Sequence, residues 1–423
     1  MILLGALGLV AVATVIGLFV LWPPSAKVTE VQATTAYAVP GATFESGVIT
    51  RLTDGCGGTD PMQASNANVV DACQSADVTI LTGPRSGAST EVHLAGPAAV
   101  SGIAVGDRIQ IFVLPTPGAA GGTSIDSFFG VDRSQSLLLF AIAFVVIVGL
   151  VAWLRGLLAI LGLAFAGFMI TVFVLPAALA GEPGLPIALV AASTIMFVVL
   201  YLAHGPSIRT STALAGTICG IAITAIVAQI AVSATRLSGF TDESTSVLSG
   251  LTNDLDFRGL LMCGIIFAGL GVLNDVTITQ SSAVWELRAA GPGLTRWQLF
   301  WSSMRIGRDH IASTIYTIVF AYVGTSLSVL LLLYLHDLAL LQLLTFEDLA
   351  AEIVMTLCSA IGLVLAVPIT TAIAVLLAAP PSVGDAGLAT TEPVEPVPAE
   401  PRRPRTRQAA PENEMLRPLD WDF

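Results

Sequence analysis

The sequence predicts a mainly α, polytopic membrane helix bundle of about eight transmembrane helices, with a small extracytoplasmic β domain of OB-like or SH3-like type between the first two. Three observations carry that expectation. The 423 residues are 54% hydrophobic and only 11% charged, whereas a soluble chain carries about a quarter charged residues. Eight stretches, near 2–21, 137–154, 157–179, 186–203, 210–234, 257–274, 311–335 and 353–377, approach the ~20 apolar residues that cross a ~30 Å hydrocarbon core. Residues 28–132 are polar and punctuated by Gly, Pro, Asp and Asn, the pattern of short strands and turns.

The expected organisation is a membrane anchor over 1–22, the outer β domain over 28–132, a seven-helix membrane domain over 137–379 and a disordered cytoplasmic tail over 380–423. The tail is proline-rich, without hydrophobic periodicity, and cannot bury enough apolar surface to fold alone. The partner demanded by this composition is the lipid bilayer. A net charge of −12 repels phosphate and argues against nucleic acid.

The first apolar segment lacks a basic n-region and is followed by Pro23-Pro24, so it reads as an uncleaved anchor rather than a signal peptide. In the polar insert, candidate strands are Val28–Thr34, Glu45–Leu52, Val78–Leu81, Thr90–Leu94 and Arg108–Leu114. A long polar excursion over 54–77 holds Cys56 and Cys73. In an oxidising exterior these two form a candidate disulfide closing that loop. Cys219, Cys263 and Cys358 lie in apolar runs and read as small hydrophobes between helices.

Arginine placement orients the chain. Arg155, Arg209, Arg288, Arg296, Arg305, Arg308 and the tail arginines fall on one side, which is then cytoplasmic together with both termini. The loops opposite hold Asp242, Glu243, Asp254, Asp256, Asp337, Glu347, Asp348 and Glu352, read as a solvated acidic surface or a cation-attracting vestibule.

The most informative stretch begins as the sixth apolar segment and keeps helical spacing beyond it, through Leu273, Val276, Gln280, Val284 and Leu287. Asp275 falls about 27 Å along a helix that starts near Phe257, at the inner edge of the membrane. A carboxylate there is costly and marks an ion or proton site by default. Asn274, Thr277 and Gln280 are its expected helpers. The plainer alternative is an interfacial carboxylate paired with a cytoplasmic arginine such as Arg308. Asp309, in Gly307-Arg308-Asp309-His310, is expected to cap the start of the next helix.

Three segments carry stripes of small or polar residues: Thr212, Gly216, Gly220 and Thr224; Thr317, Ala321, Gly324 and Ser328; and Ser359, Gly362, Ala366 and Thr370. Such stripes let helix backbones approach. Pro368 is able to kink the last segment and expose carbonyls to a polar path, with Gln229 and Tyr322 expected along it.

The run Gly271-Val272-Leu273-Asn274-Asp275-Val276-Thr277-Ile278-Thr279-Gln280-Ser281-Ser282 resembles the hallmark of the YibE/F-like membrane protein family. Gly307–Thr314, Ala321–Thr325 and Gly362–Thr370 fit it as well. The resemblance spans the anchor, the outer domain and the membrane core, but not the tail. It implies a multi-pass bacterial inner-membrane protein, sometimes called a permease, and brings no agreed catalytic residues.

No Cys-x-x-Cys pair, no Walker A motif and no His-Glu-x-x-His motif occurs, and the four histidines stand far apart. The expectation is therefore a non-enzyme, with no catalytic residues, metal or cofactor. The leading expectation is a permease or secondary transporter of an unknown solute or ion, coupled to protons or cations through Asp275. The alternatives are an envelope scaffold or assembly factor whose outer domain binds an envelope protein, and the permease subunit of an ATP-driven complex.

Overall fold

The computed structural model describes residues 1–34, 42–55, 72–115, 124–241, 243–251, 255–335 and 340–378. The tail expected over 380–423 lies outside the described residues. The chain opens with α1 (Ile2–Val20) and a short α2 (Ser25–Thr34). The second of these corrects the expectation of a strand at Val28–Thr34. The Pro24 carbonyl accepts from the backbone of both Lys27 and Val28, so the chain turns into a helix directly after the proline pair. Lys27 Nζ also donates to the Ala180 carbonyl. This tertiary contact, with the local hydrogen bonds, outweighs the β preference of Val and Thr.

Among the described residues, five strands follow: β1 (Thr43–Asp54), β2 (Cys73–Ile80), β3 (Ser89–Ala95), β4 (Arg108–Pro115) and β5 (Ser124–Val131). They form one antiparallel sheet in the order β3-β2-β1-β4-β5. Alternate side chains, among them Ile49, Val78, Ile80, Val92, Leu94, Ile109 and Ile111, bury in one core. The sheet curls, so that Thr90 of β3 donates to Asp126 of β5 at 2.6 Å. Arg85, in the β2–β3 turn, donates to Glu45 of β1 and to Asp126, both at 2.9 Å. Glu45 is 2% exposed, so this triad supplies the partner a buried carboxylate requires. The strand at Ser124–Val131 is an addition to the expected set.

Beyond the sheet the described residues are mainly helical. The first long element runs as α3 (Ser134–Met169), a π-helical stretch over Ile170–Val174, and α4 (Leu175–Leu179). It is broken at Trp153, whose φ is 53° and ψ −144°. A Cβ placed on Gly156 would sit 2.7 Å from Val148 Cγ1 and 3.0 Å from the Val148 carbonyl. In a continuous helix, residues eight apart are separated by about 12 Å, so the chain doubles back here. Only glycine leaves room for that.

Next come α5 (Gly184–His204), α6 (Ile208–Thr235), α7 (Glu243–Leu251) and α8 (Phe257–Ala290). Ser207 caps α6 and Asp256 caps α8, each accepting from a backbone N–H three residues on. Helix α9 (Arg296–Thr325) is bent by 61° from α10 (Leu327–Leu335), and α11 (Leu340–Leu343) and α12 (Glu347–Leu377) follow as the last helices among the described residues. The start of α9 corrects the role expected for Asp309. A capping box formed by Thr295 and Gln298 opens the helix, which leaves Asp309 exposed in its interior.

Six helices among the described residues are long and apolar enough to cross a membrane, or seven if the bent α9–α10 pair counts as one span. Large apolar side chains stand exposed along them, such as Leu150, Val151, Phe320 and Leu376. A water-facing surface does not tolerate such contiguous apolar area, whereas lipid does. The chain is a membrane protein. Its core is the packing of α6, α8 and α12, where a Cβ on Gly216 would overlap Thr370 and one on Gly362 would overlap Thr224. Two of the three expected stripes are thus helix-packing seams. Thr317, Ala321 and Gly324 of α9 and Ser328 of α10 instead face outward.

Candidate functional site

The polar residues of α8 face in two directions, a consequence of the 3.6-residue period. Thr277, Gln280 and Ser281 turn inward and are buried, while Asp275 turns outward. The inward group ties four helices together. The Thr277 and Thr217 hydroxyls lie 2.6 Å apart, joining α8 to α6. Gln280 Nε2 donates to the Ser303 carbonyl of α9 at 3.0 Å and to Thr371 Oγ1 of α12 at 2.8 Å. Ser281 Oγ donates to the Arg209 carbonyl at 2.8 Å. A glycine at 307 lets α9 approach, since a Cβ there would meet Gln280 Oε1 at 2.9 Å.

Outside this layer, Asp275 Oδ2 lies 3.4 Å from His310 Nε2. Asp275 is 66% exposed and His310 29%. The imidazole is close enough for an ion pair but not aligned for a hydrogen bond. Its Nε2 and the neighbouring Asn274 Oδ1 are both shielded without a hydrogen-bond partner. Shielded polar atoms left unsatisfied cost about 1–3 kcal/mol each and call for a functional reason. Arg308, named in the alternative reading as a partner for Asp275, lies instead with its guanidinium over the Trp301 ring, 5.6 Å from its centroid. Positions two apart on a helix point about 200° apart, so only one of positions 308 and 310 can turn toward α8.

The other expected residues disperse. Thr370 is buried and donates to the Ala366 carbonyl one turn back at 2.7 Å. Pro368 lies inside α12, which continues through it. Tyr322 is half-buried on α9, beside the far end of α12. Gln229 is exposed and donates to Ser233 Oγ at 3.3 Å. The acidic loop residues are partly structural: Asp256 caps α8, and Glu347 accepts from the Ser238 and Gly239 backbone. Asp242, Asp254 and Asp337 lie outside the described residues, as does Cys56. Cys73 is disulfide-bonded, and Cys219, Cys263 and Cys358 are free.

His310, Thr217, Ser303 and Thr371 were not anticipated as site residues. Thr371 stands next to Thr370, and Thr217 next to Gly216 of the first stripe, so the stripes held a signal for both. Nothing in the spacing of α9 singles out His310.

No curated protein and no solved structure matches the chain. The family model described as YibE/F-like protein matches residues 140–380. That range holds the whole polar layer and leaves out the anchor and the sheet, to which the resemblance had been extended. The match covers more than half of the sequence, and the chain belongs to the YibE/F-like family.

Proposed function

We propose that the protein is a permease or secondary transporter of the bacterial inner membrane, with proton or cation coupling at Asp275 and His310. One observation carries this reading: a carboxylate and an imidazole 3.4 Å apart, beside an unpaired Asn274 Oδ1, on helices that also share a buried polar layer. Gain or loss of a proton on His310 makes or removes an ion pair with Asp275. The Gln280, Ser303 and Thr371 contacts couple that event to the packing of α8, α9 and α12.

The topology proposed with it has eight spans. The doubling back at Trp153 divides the first long helix into two crossings, and the bent α9–α10 pair makes one. Both termini then lie in the cytoplasm, with Arg155, Arg209 and Arg288. The curled sheet lies outside; its order, with β3 against β5, favours the OB-like form.

An envelope scaffold is the second reading. It is favoured by an aromatic cluster on the sheet, where Phe44 and Phe129, each 54% exposed, have ring centroids 4.8 Å apart. Complementation of a deletion strain separates the two. Under the transport reading, Asp275→Asn fails to complement and a chain lacking 40–115 complements. The reverse pattern would replace the transporter with the scaffold.

A further inference from the structure

Where the α9–α10 bend meets the first turns of α12, the helices leave a cavity of about 260 Å³. Its walls are apolar: Val319 and Val323 of α9, Leu330 of α10, Leu349 and Leu357 of α12. Tyr322 and Glu352 also line it, and Glu352 is the one charged residue among the described lining residues. Glu352 Oε2 is shielded from solvent and accepts no hydrogen bond among the described residues. The nearby Thr356 hydroxyl donates to the Glu352 backbone carbonyl at 2.8 Å and not to its carboxylate.

A carboxylate among apolar side chains is costly without a partner, and the surroundings limit what that partner is. A hard metal ion takes about six oxygen ligands, whereas no cluster of three His, Cys, Asp or Glu exists among the described residues. No Lys or Arg is among the described lining residues. A proton would neutralise Glu352 but leave the cavity unfilled. A cation carrying apolar groups meets both demands, and the Tyr322 ring adds a cation–π attraction.

We propose that this cavity binds a small hydrophobic organic cation, an amine or quaternary ammonium, with Glu352 as its counter-ion. Along α12, Glu352 is about 28 Å from Thr371 at 1.5 Å per residue, so the site is separate from the polar layer around Gln280. As a binding site it stands alone; as a cargo site it rests on the transport reading above.

The test is equilibrium binding of radiolabelled benzyltrimethylammonium to the full chain in phosphatidylcholine nanodiscs. Wild type is expected to bind saturably. Glu352→Gln weakens binding at least tenfold, and Glu352→Asp, which keeps the charge, weakens it less. Leu330→Trp, which fills the cavity from α10, weakens binding without touching the carboxylate and so guards against misfolding of the Gln variant. Asp275→Asn binds like wild type, so a failure of coupling and a failure of this site read differently. Neopentylbenzene, the neutral isostere, does not displace the probe. The inference is overturned by the absence of saturable binding to wild type, or by wild-type affinity in Glu352→Gln. Displacement by the neutral isostere, or loss of binding in a folded Asp275→Asn, overturns it equally.

Discussion

Asp275 Oδ2 and His310 Nε2 stand 3.4 Å apart, across the hairpin that α8 and α9 form around the Gly291–Thr295 turn. With the Asp275 side chain 66% exposed, the pair contributes about 1 kcal/mol or less to stability, so removal of its carboxylate separates function from folding. Asp275→Asn should reach the membrane at wild-type level and melt within a few degrees of wild type, while losing activity. A variant that fails to accumulate would make the pair structural.

Gln280 has the opposite character. It is 2% exposed, and its amide holds α9 and α12 to α8. Gln280→Ala removes two hydrogen bonds and leaves a cavity, costing about 2–3 kcal/mol. Thermal unfolding in detergent should show a clearly lowered midpoint, and an unchanged midpoint would mean that the layer does not bind the helices together.

The α6–α12 seam makes a steric prediction. Gly362→Val drives a side chain into Thr224 and should prevent accumulation of folded protein. Gly271→Ala meets nothing within 4 Å and gains up to about 1 kcal/mol of helix propensity. Thr370→Ala should rescue part of the damage from Gly216→Ala, because it removes the oxygen that the new methyl group strikes; additive effects in the double-mutant cycle would disprove the contact.

In the sheet, Arg85→Met leaves the carboxylates of Glu45 and Asp126 without their cation, at a cost of about 3 kcal/mol. Limited proteolysis of the full chain should then cut within 43–131 faster than in wild type. The hydrogen bond to Asp126, followed by that to Glu45, raises the Arg85 pKa above its ordinary value. A raised pKa contributes its full stability below the unfolded value and loses it only as pH rises through the folded one. Arg85 therefore keeps its contribution across the physiological range.

The long apolar helices, the two packing stripes and most of the sheet were legible in the sequence because each repeats at its own period, 3.6 or 2. The strand β5 was not, since one of its inward positions is Asp126, a charge whose partner Arg85 is distant in the chain. The start of α9 was hidden by its arginines, although Thr295 and Gln298 have the spacing of a capping box. Charge alone favours an arginine such as Arg308 beside Asp275, whereas the rotation of α9 presents His310. That rotation is set by tertiary packing, through the fit of Gly307 against Gln280.

The central claim, coupling through Asp275, is tested most directly by profiling a deletion strain. Ions, small metabolites and envelope lipids are measured in cells and medium, with complementation by wild type and by Asp275→Asn at matched membrane levels. The expected result is one solute displaced across the membrane in the deletion strain, restored by wild type and not by Asp275→Asn. Equal restoration by both would contradict the coupling role of Asp275.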